Sequence, residues 1–174
     1  CALRVLPIIW AGLYRRKMLV DNGVRFNETP GASFQDTSFV FQAWVASRRA
    51  AILPGAYLHY RVDNAGSSVK STSKIYEVCG EYASSEAFIK KDPRLWGTFA
   101  PTLNAMKLDT YRWNFNRIAI ECREEFVERW ADEFRQAQEE GVLREEAFTP
   151  YDWGIAQELI ADPKAFFEKY REAL

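Results

Sequence analysis

The chain has 174 residues, 48% of them apolar and 15% aromatic, with a formal net charge of −1. That is enough apolar text for one good core, or one and a half small domains, and it excludes a disordered tail. The near-zero charge gives no field to gather nucleic acid, and no apolar run approaches the ~18 residues that a spanning helix needs.

The three cysteines, Cys1, Cys79 and Cys122, are odd in number and widely scattered. They fit neither a disulfide framework nor a zinc site, so a reducing compartment is the default. The chain opens on Cys1, directly followed by strand-like text from Ala2 to Leu6. One reading is a processed lipoprotein with a lipidated N-terminal Cys. It would show a polar spacer next, and none is present, so a piece cut from a longer chain fits better.

Two textures follow. In residues 1–73, Leu3 to Ile9 reads as a strand and Trp10 to Val20 as a helix. Asp21-Asn22-Gly23 is a turn, because Asn and Gly tolerate positive φ. Val24 to Phe26 reads as a short strand, 27–33 as a loop and Thr37 to Ser47 as a helix. Ala50–Leu53 and Ala56–Val62 read as strands around the Pro54-Gly55 turn. This alternation suggests part of an α/β sheet domain.

Residues 74–174 are helical in texture. Ile75, Val78, Cys79, Tyr82, Ala83 and Ile89 fall on one face at three- and four-residue spacing. Phe115, Ile118, Ala119, Cys122, Phe126, Trp130, Phe134 and Ala137 continue the pattern over one long helix, which Gly141 closes. Thr149-Pro150 and Asp162-Pro163 each supply a cap and a Pro at the first helical position. Helix predominates over the chain as a whole.

The candidate chemistry lies in the first texture. Asp36, in Gly31-Ala32-Ser33-Phe34-Gln35-Asp36-Thr37-Ser38-Phe39, reads either as a helix N-cap or as a carboxylate displayed at a loop-to-helix junction. Trp10 reads as a core indole or as a platform for a sugar ring. The segment from Arg61 through Ser67, Ser68 and Lys70 reads as a plain linker or as an anion-holding lid. His59 reads as a satisfied strand residue, an acid/base group or a metal ligand. No Gly-rich phosphate loop and no supported Ser/His/Asp or Cys/His arrangement is present, so hydrolase and kinase readings have no support.

The order of motifs carries more than any one of them. Trp10…Leu13-Tyr14-Arg15-Arg16, Gly23…Arg25-Phe26, the Gly31–Phe39 run, Leu53-Pro54, Tyr57-Leu58-His59-Tyr60-Arg61 and Asp63-Asn64…Ser67-Ser68 follow one another over residues 3–73. This string resembles the C-terminal half of bacterial family 2 glycosyltransferases, the GT-A enzymes that build capsular, lipopolysaccharide-type and other surface glycans. The helical remainder, 74–174, resembles the less regular C-terminal extension often found in such enzymes. The implied fold is a partial GT-A sheet domain of α/β class followed by a helical region.

The resemblance implies an inverting transfer of sugar from a nucleotide-sugar donor to a glycan or lipid-linked acceptor. Asp36 maps onto the acceptor base, with Gln35 in place of the usual Glu beside it. Trp10 and Gln35 map onto the acceptor side, and Arg61, Ser67, Ser68 and Lys70 onto the segment that closes over the diphosphate. A divalent metal, Mg or Mn, belongs to the full-length enzyme and is held mainly by an Asp-x-Asp motif that these residues lack. Alone, such a piece is expected to be inactive. The implied setting is cytoplasmic, at the inner face of the membrane, where Arg15-Arg16-Lys17 and the helical region are compatible with peripheral contact or oligomerisation. The competing expectation is a non-catalytic helical interaction module, in which Asp36 and Arg61 do structural work.

Overall fold

A computed structural model describes residues 8–29, 34–61 and 74–174. A short 3-10 turn at Ile9–Ala11 leads to α1 (Arg16–Asp21) and α2 (Gln35–Ala46). Then come α3 (Glu77–Ile89), α4 (Pro93–Arg117), α5 (Arg123–Glu139), α6 (Pro150–Ala161) and α7 (Pro163–Tyr170). No helix among the described residues is long and apolar enough to cross a membrane.

The α/β expectation is corrected. The described residues are 68% helical and contain no strand, so the partial GT-A sheet is not seen. Ala50–Leu53 and the described part of Ala56–Val62 carry strand-like side chains, yet residues 50–61 are all exposed. Residues 48–61 exchange no backbone hydrogen bond with another described residue. A strand exists only through its ladder, and alternation alone does not provide a partner. Val24–Phe26 is likewise not a strand, and Leu3–Ile9 lies almost wholly outside the described residues. The expected helix over Trp10–Val20 is split, with 12–15 non-helical between the 3-10 turn and α1.

The expected turn at Gly23 forms, with φ +66. Gly23 N–H donates to Val20 O and Val24 N–H to Leu19 O, the paired bonds of a Schellman closure of α1. Gly141, at φ +70, ends α5 in the same way, with Gly141 N–H on Gln138 O and Val142 N–H on Ala137 O. The other ends follow the side-chain capping rules. Asp92 accepts from Arg94 N–H, Thr149 from Asp152 N–H and Asp162 from Ala165 N–H, each just before a Pro at the first helical position.

The main core is aromatic and centred on α5. Phe126, Trp130 and Phe134 are fully buried, and Trp130 meets Tyr111 of α4, Phe134 and Phe166 of α7 at steep angles, with centroids 5.8–6.1 Å apart. Edge-to-face pairs of this kind add to what area burial contributes. α3 packs between α4 and α2, and Phe41 of α2 belongs to this same core. A smaller cluster of Val24, Phe39, Val40 and Ala43, flanked by Ile9, Tyr14 and Leu19, joins α1 to α2.

The single long helix expected through Phe115–Ala137 is two. Ile118 turns extended at ψ 159, and a 3-10 turn at Ile120–Cys122 precedes α5. The apolar spacing continues across the break because α4 and α5 turn their apolar faces to one core. The Arg123 guanidinium serves two helix ends at once: it donates to Asn116 O in the last turn of α4, and to Arg171 O and Glu172 O just after α7.

Candidate functional site

α2 begins in an unusual way. Its cap position is Phe34, at φ 60 and ψ 2, in the left-handed region, with no side-chain cap bond. It is the one non-glycine residue with positive φ among the described residues. An aromatic residue there costs on the order of 1–3 kcal/mol and persists only where surrounding contacts hold it. Those contacts come from α4. The Phe34 ring meets Trp113 at 82° with centroids 5.6 Å apart, and the Arg117 guanidinium lies 5.1 Å from the Phe34 ring.

The consequence is the placement of Gln35 and Asp36 in the first turn of α2. Asp36 is therefore not the helix cap. Burial is the largest influence on its carboxyl and raises its proton affinity, while the backbone N–H groups of Asp36 and Thr37 pull the other way. Gln35 Nε2 donates to Thr29 O at 3.2 Å and to Thr29 Oγ1 at 2.9 Å, which ties the start of the helix to the loop before it.

A second carboxyl stands close by. Glu81 of α3 is 1% exposed. Ser38 Oγ, one turn from the start of α2, donates to Glu81 Oε2, and the Asn27 side chain also hydrogen-bonds the carboxyl. Ser84 Oγ donates to Asn27 Oδ1 at 3.1 Å, and Gln42 Nε2 to Ser84 Oγ at 3.3 Å. Burial pushes the Glu81 carboxyl above the usual carboxylate range; the hydrogen bonds from Ser38 and Asn27 oppose this, and the charge of Asp36 adds to it. The chain thus sets two carboxyls in one another's field, one partly open and one sealed and hydrogen-bonded. The outer end of this network borders a polar cleft of about 200 Å³ lined by Arg25, Asn27, Gln42, Ser84 and Lys91.

The other sequence-level candidates are placed less closely. Trp10 lies flat on Tyr60, with centroids 4.6 Å apart and an interplanar angle of 4°, which brings it beside the exposed stretch that carries His59 and Arg61. No hydrogen bond or ring contact joins Trp10 to Gln35 or Asp36 among the described residues. Ser67, Ser68 and Lys70 lie outside the described residues. Among the described residues, no group of three or more His, Cys, Asp or Glu is arranged to hold a metal ion.

Sequence reasoning missed Glu81, Ser38, Asn27 and Trp113. Glu81 had a signal: it lies three residues after Val78 and four before Ser85, on the buried stripe of α3. An acid on an apolar face asks for a partner. A further charged cluster, Lys107 with Glu86 at 2.5 Å and Glu133 at 3.2 Å, borders a second cleft of about 170 Å³, and Arg129, 3.1 Å from Glu133, balances the second carboxylate.

No protein-family model, curated protein or solved structure matches the chain.

Proposed function

We propose that this chain carries the acceptor side of a family 2 glycosyltransferase, which moves sugar from a nucleotide-sugar donor to a glycan or lipid-linked acceptor for surface polysaccharide synthesis. The observation that carries the reading is the strained entry to α2, where Phe34 at φ 60 delivers Asp36 into the first helical turn in a partly buried setting. Backbone strain concentrates where a side chain must be held for function. A carboxylate whose proton affinity is raised by burial is a better base near neutral pH than an ordinary one.

In this mechanism Asp36 takes the proton of the acceptor hydroxyl. The acceptor oxygen forms its bond to the anomeric carbon as the bond from that carbon to the diphosphate breaks, inverting the centre. The nucleoside diphosphate leaves with the bonding electron pair, and Asp36 returns its proton to solvent. Arg61, with Ser67, Ser68 and Lys70, meets the charge of the leaving diphosphate. Gln35 stands beside the base where a second acid would add a charge, and Trp10 offers a ring on the acceptor side. The described residues do not fit a metal site, and none of these steps passes through one. The place of action is the cytoplasm, at the inner face of the membrane.

The test is nucleotide-sugar turnover by the natural full-length chain. Asp36→Asn is expected to keep the fold and to lose at least ~100-fold in turnover, the scale of a lost general base. Transfer at a near-normal rate by that variant would remove Asp36 from the mechanism.

One observation favours a second reading, a non-catalytic interaction module. Ile52, Leu53, Tyr57, Leu58 and Tyr60 form a run of exposed large apolar side chains, with Tyr57 77% exposed. Such patches mark contact surfaces. In that reading neither the wild-type chain nor Asp36→Asn turns over a nucleotide sugar, and substitution of Tyr57 and Leu58 releases a partner.

A further inference from the structure

We propose that Trp113, braced by Phe34 and Arg117, is a stacking platform for a pyranose ring of the acceptor, so that the helical region contributes directly to acceptor binding. This rests on the reading of Asp36 as the acceptor base and extends the site onto α4.

Three observations support it. Trp113 is 45% exposed although Tyr111 and Phe115, two residues to either side on α4, are fully buried. A lone surface indole is ordinary, but this one is fixed in place. Its ring and that of Phe34 stand at 82°, a corner rather than a closed stack, whereas Trp10 already has Tyr60 lying parallel on it. The Arg117 guanidinium sits 5.2 Å from the Trp113 ring and 5.1 Å from the Phe34 ring. That guanidinium is itself anchored, donating to Lys74 O at 2.9 Å and to Asn114 Oδ1 at 2.8 Å.

Location completes the argument. Phe34 immediately precedes Gln35-Asp36, so the Phe34–Trp113 corner adjoins the start of the helix that carries the proposed base. A pyranose has an apolar C–H face suited to an indole and a hydroxyl edge that stays in water, which matches a half-exposed ring at the rim of a site. Because the corner is held before ligand arrives, little side-chain freedom is lost on binding. Trp113 is a binding and specificity residue here, not one that moves a proton.

The experiment is saturation-transfer NMR of the natural full-length chain with methyl glycosides of glucose, galactose and N-acetylglucosamine, with ribitol as an open-chain control. We expect transfer to the ring C–H protons of at least one pyranoside and none to ribitol. Trp113→Ala should weaken that binding about tenfold and raise the acceptor KM with kcat little changed, while Trp113→Phe stays within about threefold. Circular dichroism of each variant establishes that it is folded. Absence of pyranoside transfer in the wild type, or transfer unchanged in folded Trp113→Ala, overturns the platform. Asp36→Asn keeps pyranoside binding and loses turnover if the catalytic reading holds. Full turnover by Asp36→Asn would sink that reading by itself, whereas a silent Trp113→Ala would sink only the platform.

Discussion

Replacing Glu81 separates the two things its carboxyl does. Glu81→Gln keeps an oxygen to accept from Ser38 and Asn27 but removes the buried charge; Glu81→Ala removes both. In the alanine variant the Ser38 hydroxyl, which is fully buried, and the Asn27 amide lose their acceptor. Orphaning the buried Ser38 hydroxyl costs about 1–3 kcal/mol and the half-buried Asn27 amide, which can turn to water, adds little, so Glu81→Ala should fall about 1–3 kcal/mol below Glu81→Gln in unfolding free energy. With a urea slope of about 2 kcal/mol per molar, the midpoint drops by roughly 0.5–1.5 M.

The pH dependence gives an independent check. The folded chain holds the Glu81 proton more tightly than the unfolded chain does, because burial raises its affinity above the ordinary 4.5. Between 4.5 and the raised folded value the folded state therefore binds more protons, and wild-type stability falls as pH rises through that window. Asp36 contributes with the same sign from its ordinary 3.8 upward. Glu81→Gln should flatten the wild-type slope and gain relative stability above the window. Urea melts from pH 4 to pH 8 measure both effects. A Gln-to-Ala difference under about 0.5 kcal/mol, or an unchanged slope in Glu81→Gln, would refute the account of this network.

Two further outcomes test the core. Trp130→Ala removes a fully buried indole ringed by Tyr111, Phe126, Phe134 and Phe166, and should cost about 3–5 kcal/mol by urea unfolding. Burial pushes the Cys79 thiol up to about 11, and it is 1% exposed, so at pH 8 a thiol reagent should modify half-buried Cys122 well before Cys79. Mass spectrometry after partial labelling reads the order, and equal rates would contradict the burial of Cys79.

Local chemistry was legible in the sequence wherever it is decided locally. Gly23 and Gly141 take the left-handed closures that their position after a periodic run implies, and Thr149-Pro150 and Asp162-Pro163 open helices as caps followed by Pro. What failed was whatever depends on a distant partner. Residues 50–61 have the alternation of a strand, but a ladder needs a second chain segment that their own side chains do not specify. The break at Ile118 was hidden because α4 and α5 share one apolar stripe across it. At the site, Asp36 was readable as an acid at a helix start, but not the left-handed Phe34 before it, which is held by Trp113 and Arg117 some eighty residues away. Glu81 was readable only as an acid out of place among Val78, Tyr82 and Ser85.

Release of nucleoside diphosphate from a panel of nucleotide sugars tests the central claim most directly. The natural full-length chain and its Asp36→Asn variant would be compared in the presence of cell-envelope glycan and lipid acceptors. The account predicts acceptor-dependent release by the wild type and at least ~100-fold less by Asp36→Asn, with both proteins equally folded. Release by Asp36→Asn at the wild-type rate, or no acceptor-dependent release by the wild type with any donor, would contradict it.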